Sequence, residues 1–269
     1  MPLEKLLLLF FAALIAGAIN SIAGGGTLLS FPTLIFVGVP ALIANATNTV
    51  ALVPGSFSAF WKYRDTTGSS GTYWVWLGIP SLIGGMAGAY LAVRLGDKTF
   101  ERLVPWLVLT ATSLFILQDP LKKLVLKRNT GDLTETKSPV TLAGVMLFQL
   151  GVALYGGFFG AGIGILMLAS LGFLGIKSIH KVNGLKNLSA VFINGAAAAT
   201  FAFKHQVNWN IAILMAIGAI AGGYTGAAIA QKIPDKTVRV VIICIGIGIA
   251  AKFFITQWLT IHPVKIGAL

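Results

Sequence analysis

Long stretches of apolar, uncharged side chains recur along this chain of 269 residues. Several are close to 20 residues, about the length at which a helix crosses the hydrocarbon core of a membrane. The pattern therefore predicts an all-α polytopic membrane protein. The apolar segments lie at about 6–39, 41–60, 74–93, 103–118, 140–171, 185–203, 209–230 and 240–258.

The first and fifth segments are too long for one straight crossing, and each contains a cluster of glycines. Gly24, Gly25 and Gly26 lie in the first, and Gly160 and Gly162 belong to the cluster in the fifth. Glycine inside a helix costs about 1 kcal/mol relative to alanine, so these clusters are expected to break the helices. After the first break, the prolines at positions 32 and 40 are expected to interrupt the chain again.

The two halves of the chain resemble each other at an offset of about 138 residues. Across positions 84–99, eight of sixteen residues are identical to those of 222–237. This predicts tandem homologous halves, each with one glycine-broken or re-entrant segment plus three membrane helices. The first transmembrane repeat covers 1–118, the polar linker 119–139, and the second repeat 140–269.

The route of each broken segment decides how the halves are related. A single crossing gives eight spans and parallel repeats, whereas a re-entrant hairpin gives three full crossings per half and inverted repeats. In the second arrangement thirteen of the twenty basic residues lie on the side of the linker. Because basic residues are enriched in cytoplasmic loops, the inverted repeat with a cytoplasmic linker is slightly favoured.

Composition excludes several functional classes. Charged residues make up only 10% of the chain, and the formal charge of +12 comes without basic runs interleaved with stacking aromatics, so no nucleic-acid partner is expected. One cysteine and three histidines without metal-ligand spacing predict no metal and no cofactor. No nucleophile–base pairing or phosphate-binding motif is found, and no enzymatic activity is expected.

Internal duplication with interrupted helices at matching positions is typical of secondary transporters. Polar clusters accompany the breaks, but every Asp and Glu lies at a segment edge or in a loop. A cation pathway normally needs buried carboxylates, whereas amide, hydroxyl, lysine and helix N-terminal donors suit an anion. Asparagine and backbone carbonyls can also bind Na⁺, so the inference is not unique.

Lys186 has two interpretations. It is the only ionisable residue in the first turns of the sixth segment, where it could provide a cationic partner for the substrate. Alternatively, it lies near enough to the helix end to extend its ammonium to the lipid headgroups.

The residues from Ile19 to Leu29, with Pro32 and Leu34, resemble the opening motif of the sulfite exporter TauE/SafE family. The runs 38–40, 44–48 and 61–64 continue the resemblance, and the second half is similar to the family's repeated motif from Gly156 through Asn187 and at 222–223. The resemblance implies a secondary transporter, in the exporting direction, of a sulfur-containing anion such as sulfite, sulfoacetate or another organosulfonate.

The same resemblance implies a substrate site between the two broken segments. The site residues expected from it are Asn20, Ser21, Gly24, Gly25, Gly26, Asn45, Thr47, Asn48, Gly160, Gly162, Asn183, Lys186 and Asn187. The expected partners are a small anionic substrate and the lipid bilayer, in a multi-pass protein of the plasma (inner) membrane; self-association is left open. The alternatives are a cation or zwitterion transporter, or a non-transporting membrane scaffold or enzyme.

Overall fold

A computed structural model of the protein describes residues 1–22, 24–67, 71–117, 139–173 and 179–229, with 247, 248 and 251. Within these ranges the chain forms α-helices and no strand, as the apolar pattern predicts. The helices are α1 (Leu3–Ile22), α2 (Thr27–Phe36), α3 (Ala41–Thr67), α4 (Gly71–Leu95), α5 (Asp97–Ile116), α6 (Pro139–Phe158), α7 (Ile163–Phe173), α8 (Ile179–Phe203) and α9 (Trp209–Ile229). The apolar segment predicted at 240–258 lies almost entirely outside the described residues.

Both long apolar segments are broken where their glycines cluster. The first divides into α1 and the ten-residue α2, and the fifth into α6 and the eleven-residue α7. The prediction of a second interruption at Pro32 is wrong, because α2 continues through this residue. A proline removes only one hydrogen bond from the helix, which its tertiary contacts can compensate. Pro40, by contrast, directly precedes α3.

Helix α2 turns back along α1 instead of continuing in the same direction. The ammonium of Lys5, in the first turn of α1, donates to the carbonyl of Val37, which follows α2, at 3.3 Å. Gly26 lies against the backbone of Ala16 in α1. The chain therefore leaves this pair of helices on the side where it entered.

The third helices of the two halves, α3 and α8, pack against each other in opposite directions. Near the end of α3, the ring of Tyr63 lies 6.4 Å from that of His180 at the start of α8. Near the start of α3, the hydroxyl of Thr47 accepts the N–H of Asn208, beyond the end of α8, at 3.0 Å. The two helices thus form the antiparallel centre of the fold.

Small residues allow the outer helices to approach this centre closely. A Cβ at Gly84 in α4 would lie 2.6 Å from the Cβ of Ala153 in α6, and Gly85 contacts the backbone of Ile193 in α8. In the other half, Gly223 in α9 contacts the backbone of Gly55 in α3. These contacts give Gly84, Gly85 and Gly223 a packing role, because any larger residue at these positions would separate the helices.

Three of the described helices are long and apolar enough to cross a membrane by length and composition: Leu3–Ile22, Trp74–Leu95 and Trp209–Ala228. Helices α3 and α8 have the length but carry the polar clusters, which are buried inside the fold. The outer faces of α1, α4 and α9 expose large apolar side chains instead. This distribution is that of a helical protein whose surrounding medium is lipid.

Candidate functional site

The two helix breaks meet in the interior of the fold. Gly24 follows α1 with φ +82°, and a Cβ there would lie 3.0 Å from the backbone nitrogen of Gly164 at the start of α7. Gly160 and Gly162, between α6 and α7, also adopt positive φ, +78° and +77°. L side chains rarely adopt this left-handed conformation, so the glycines are required both for the turn and for the close approach.

In each break, a nearby side chain forms a hydrogen bond with a backbone group that the interrupted helix leaves unpaired. In the first, the amide oxygen of Asn20 accepts the N–H of Gly26 at 2.7 Å, satisfying a donor that the interrupted helix leaves free. In the second, the hydroxyl of Tyr155 donates to the carbonyl of Ala161 at 2.8 Å. Such bonds are needed because lipid cannot satisfy backbone groups exposed at membrane depth.

The carbonyl end of α1 is capped by α8, from the other half of the chain. The ammonium of Lys186 donates to the carbonyls of Ser21 at 3.2 Å and Ile22 at 2.9 Å, and the Asn187 amide donates to Ser21 at 3.3 Å. Lys186 is only 1% exposed, so the interpretation in which it extends to the headgroups is wrong. The carbonyl end of a helix carries a partial negative charge, which explains why the ammonium is stable there.

The carbonyl end of α6 is capped in the same way by α3. The Asn45 amide donates to the carbonyl of Phe158 at 3.0 Å. The amide oxygens of Asn45 and Asn48 are buried and have no hydrogen-bond partner among the described residues. Each helix break is therefore stabilised by the third helix of the opposite half, with an ammonium on one side and a neutral amide on the other.

A small cavity lies where the breaks and α8 meet. Centres of water molecules could occupy about 20 Å³ of it, which is room for about one water. Its lining residues are Asn20, Gly24, Thr27, Ser56, Gly160, Ile163, Gly164, Met167, Lys186, Asn187, Ala190 and Asn194. The N-terminal ends of both half-helices, α2 and α7, contribute to this lining.

The electrostatic character of the cavity is set by Lys186, the only ionisable side chain among its described lining residues. The acidic residues within the described ranges, Glu4, Asp65, Asp97 and Glu101, are all exposed. Helix N-termini add partial positive charge, and amide and hydroxyl groups add neutral donors. The chemistry of the lining therefore suits a small anion, since it offers a charge and hydrogen-bond donors and its described residues include no carboxylate.

Comparison with known proteins agrees with this architecture. The family model of the sulfite exporter TauE/SafE matches residues 9–253. The chain belongs to this family. A probable membrane transporter protein of Sinorhizobium sp. is 25% identical over 258 residues, covering 96% of this chain and 94% of its own. A probable membrane transporter protein of Haemophilus influenzae is 27% identical over 257 residues, covering 95% and 96%. One of Escherichia coli, YfcA, is 28% identical over 248 residues, covering 91% and 87%. No solved structure matches the chain significantly.

The TauE/SafE resemblance predicted thirteen site residues, and five of them line the cavity: Asn20, Gly24, Gly160, Lys186 and Asn187. The other eight lie around it or further away. Ser21 presents its carbonyl to Lys186, Gly26 binds Asn20, and Gly25 lies within the first break. Gly162 shapes the second break, and the Asn183 carbonyl accepts the Asn187 amide at 2.9 Å. Asn45 caps α6, Asn48 lies one turn further along α3, and Thr47 accepts the N–H of Asn208 before α9.

The remaining lining residues of this TauE/SafE protein are not among the thirteen predicted site residues. Two of them, Ser56 in α3 and Asn194 in α8, are separated by the repeat offset of 138. Because α3 and α8 run antiparallel, equivalent positions near their middles meet at the centre of the fold. Polar residues at equivalent positions of both halves are thus the signal that could have identified them.

Proposed function

We propose that this protein is a multi-pass transporter of the plasma membrane that exports a small sulfur-containing anion, such as sulfite, sulfoacetate or another organosulfonate. Membership in the TauE/SafE family and the names of its relatives support membrane transport. The observation that carries the choice of an anion is the buried ammonium of Lys186 at a cavity lined by both helix breaks.

The chemistry of the lining favours an oxyanion over a cation. Lys186, Asn187 and Asn194 bring an ammonium and two amides to one face of α8, while Thr27 and Ser56 bring hydroxyls from the first half. A sulfite or sulfonate group presents three oxygens that accept hydrogen bonds, and such charge-assisted bonds are stronger than neutral ones. The lone ammonium would repel a small cation.

The size of the cavity supports an alternating-access mechanism. Space for about one water cannot accommodate a sulfonate, so the cavity corresponds to a closed form that must widen to admit substrate. Movement of the two halves relative to one another would change the cavity, because residues from both halves line it. Rocking of repeats around a fixed midplane site is a common mode of secondary transport.

Inverted repeats fit this mechanism, and three observations support them. Helices α6 to α9 begin 136 or 138 residues after α1 to α4, in the same order. Helix α2 returns along α1, which leaves α3, α4 and α5 as the full crossings of the first half. The equivalent helices α3 and α8 run in opposite directions, as an odd number of crossings per half requires. The linker is then cytoplasmic and the N-terminus of α1 external.

Export agrees with the sign of the membrane potential. Moving one negative charge outward across a membrane whose inside is negative releases about 2.3 kcal/mol per 100 mV, so efflux of an anion requires no coupled ion. Concentrative uptake would require one.

Flux in proteoliposomes tests this function. Purified protein is reconstituted, and the efflux of sulfite, sulfoacetate and other sulfonates is measured beside sulfate, chloride, an amino acid and K⁺, with the membrane potential clamped at either sign. We expect saturable sulfite or sulfonate flux that is faster when the potential drives anions outward. Flux of cations or zwitterions alone, or no flux above protein-free vesicles, would refute the proposal.

A further inference from the structure

Two buried amide oxygens on α3, those of Asn45 and Asn48, have no hydrogen-bond donor within the part of the chain that the structure describes. The hydrogen bond from the Asn45 amide nitrogen to Phe158 determines which way this amide faces, and its oxygen is left without a partner among the described residues. The same holds for the amide oxygen of Asn48, one helical turn further along α3. Both residues are at most 1% exposed. A buried acceptor without a donor is destabilising, so two of them one helical turn apart require a physical explanation.

The other half of the chain provides that explanation. At the repeat offset of 138, Asn48 corresponds to Lys186 and Asn45 to Asn183. At the first break, the ammonium of Lys186 lies against the carbonyls that end α1. The corresponding position on α3, next to the helix turn that caps the second break, carries a neutral amide whose oxygen has no donor among the residues described. The covalently attached ammonium of Lys186 in one half thus corresponds to the unpartnered amide oxygens of Asn45 and Asn48 in the described part of the other.

From this correspondence we propose a monovalent cation site at the carbonyl end of α6. Its ligands are the amide oxygens of Asn45 and Asn48 and the carbonyl of Phe158, which can accept a cation beside the Asn45 amide because it has two lone pairs. In transporters with broken helices, carbonyls freed at helix ends are the groups that bind Na⁺. The site is separate from the cavity, since none of these three residues lines it.

The ligand set favours a monovalent over a divalent cation. All three oxygens are neutral, and no carboxylate among the described residues is buried. Ca²⁺ and Mg²⁺ sites are built around carboxylates, which offset the greater cost of dehydrating these ions. A site of amide and carbonyl oxygens at the partial negative charge of a helix end therefore suits Na⁺.

The test measures thermal unfolding of the purified, full-length protein in detergent. Sodium gluconate is titrated against choline gluconate at constant ionic strength, with no sulfur anion present, so that failure of the anion proposal does not affect the result. We expect a saturable rise of the unfolding temperature with Na⁺, because a ligand that binds only the folded state stabilises it by mass action. Binding of radioactive Na⁺ to the wild-type protein provides a measurement that does not depend on any variant.

Two substitutions at one position sharpen the test. Asn48→Leu removes one ligand and should weaken the apparent Na⁺ affinity about tenfold or more. Asn48→Lys places an ammonium where the other half has one, and should abolish the Na⁺ response while the unfolding temperature stays close to that of the Na⁺-saturated wild type. Identical behaviour of the wild type in Na⁺ and choline, absence of radioactive Na⁺ binding, or an unchanged Na⁺ response in folded Asn48→Leu would each overturn the proposal. A buried water satisfying both oxygens would give that first result.

Discussion

Replacing Lys186 by methionine tests both roles of its ammonium. Methionine is of similar length and removes the charge while keeping most of the buried volume. The substitution should weaken binding of a sulfur oxyanion, because no other lining residue that the structure describes is ionisable. It should also destabilise the first helix break, because the carbonyl of Ile22 loses the ammonium, while that of Ser21 keeps only the Asn187 amide as a donor.

The magnitudes follow from the geometry. An ammonium and an anion in contact, with charges about 4 Å apart, attract each other by about 4 kcal/mol at an effective dielectric constant of 20. Because the ammonium already donates to two carbonyls, about half of this should remain as differential affinity, which is a loss of about 30-fold in Kd. The unsatisfied carbonyl of Ile22 costs about 1–3 kcal/mol and the weakened bonding of Ser21 adds to this, but removal of a buried charge offsets part of it, so we expect unfolding to require about 2 kcal/mol less.

Binding of sulfite and sulfoacetate is measured by tryptophan fluorescence or calorimetry on purified protein, beside its thermal unfolding. Lys181→Met is the matched control, because it removes the same charge from the same helix at a residue that does not line the cavity. Lys186→Arg should keep most of the affinity. A folded Lys186→Met protein that binds these anions as tightly as the wild type would refute the reasoning and reduce Lys186 to a helix cap.

Three further predictions concern the backbone and the topology. Gly24→Ala should prevent accumulation of folded protein, because the left-handed conformation and the backbone of Gly164 both oppose a Cβ. Gly38 also has positive φ but is surrounded by open space, so Gly38→Ala should lower the free energy of unfolding by only about 1–2 kcal/mol. Comparable unfolding temperatures for the two variants would contradict this. Gly85→Ala should lower the unfolding temperature and slow transport by separating α4 from α8, whereas Gly144→Ala, in open space, should be neutral or stabilising by about 0.5–1 kcal/mol; equal effects would contradict a packing role. A single cysteine introduced in the linker, with Cys244 replaced by serine, should react with impermeant maleimide only after the cytoplasmic face is opened; labelling in intact cells would invert the proposed orientation.

Some features of the site are local and could be predicted from the sequence. Glycine clusters inside long apolar segments break helices wherever they occur, since each glycine removes a side chain and adds backbone freedom. The breaks after α1 and α6 are therefore confirmed at Gly24 and at Gly160. The ends of the helices were predicted less accurately than the breaks. Helix α8 begins six residues before its predicted apolar start, because its polar first turn packs against α3, where the ring of His180 lies 6.4 Å from that of Tyr63.

Three features of the sequence determined a helical membrane protein whose helix breaks are rich in hydrogen-bond donors. They are the long apolar segments, the glycine clusters within them and the absence of carboxylates from them. Each depends only on the composition of short stretches and on the hydrocarbon around them. Which groups meet was decided only by the tertiary structure. Lys186 reaches Ile22 across 164 positions of sequence, and Asn45 reaches Phe158 across 113. Such pairings depend on how closely small residues allow helices of opposite halves to approach, a property of packed surfaces rather than of any single segment.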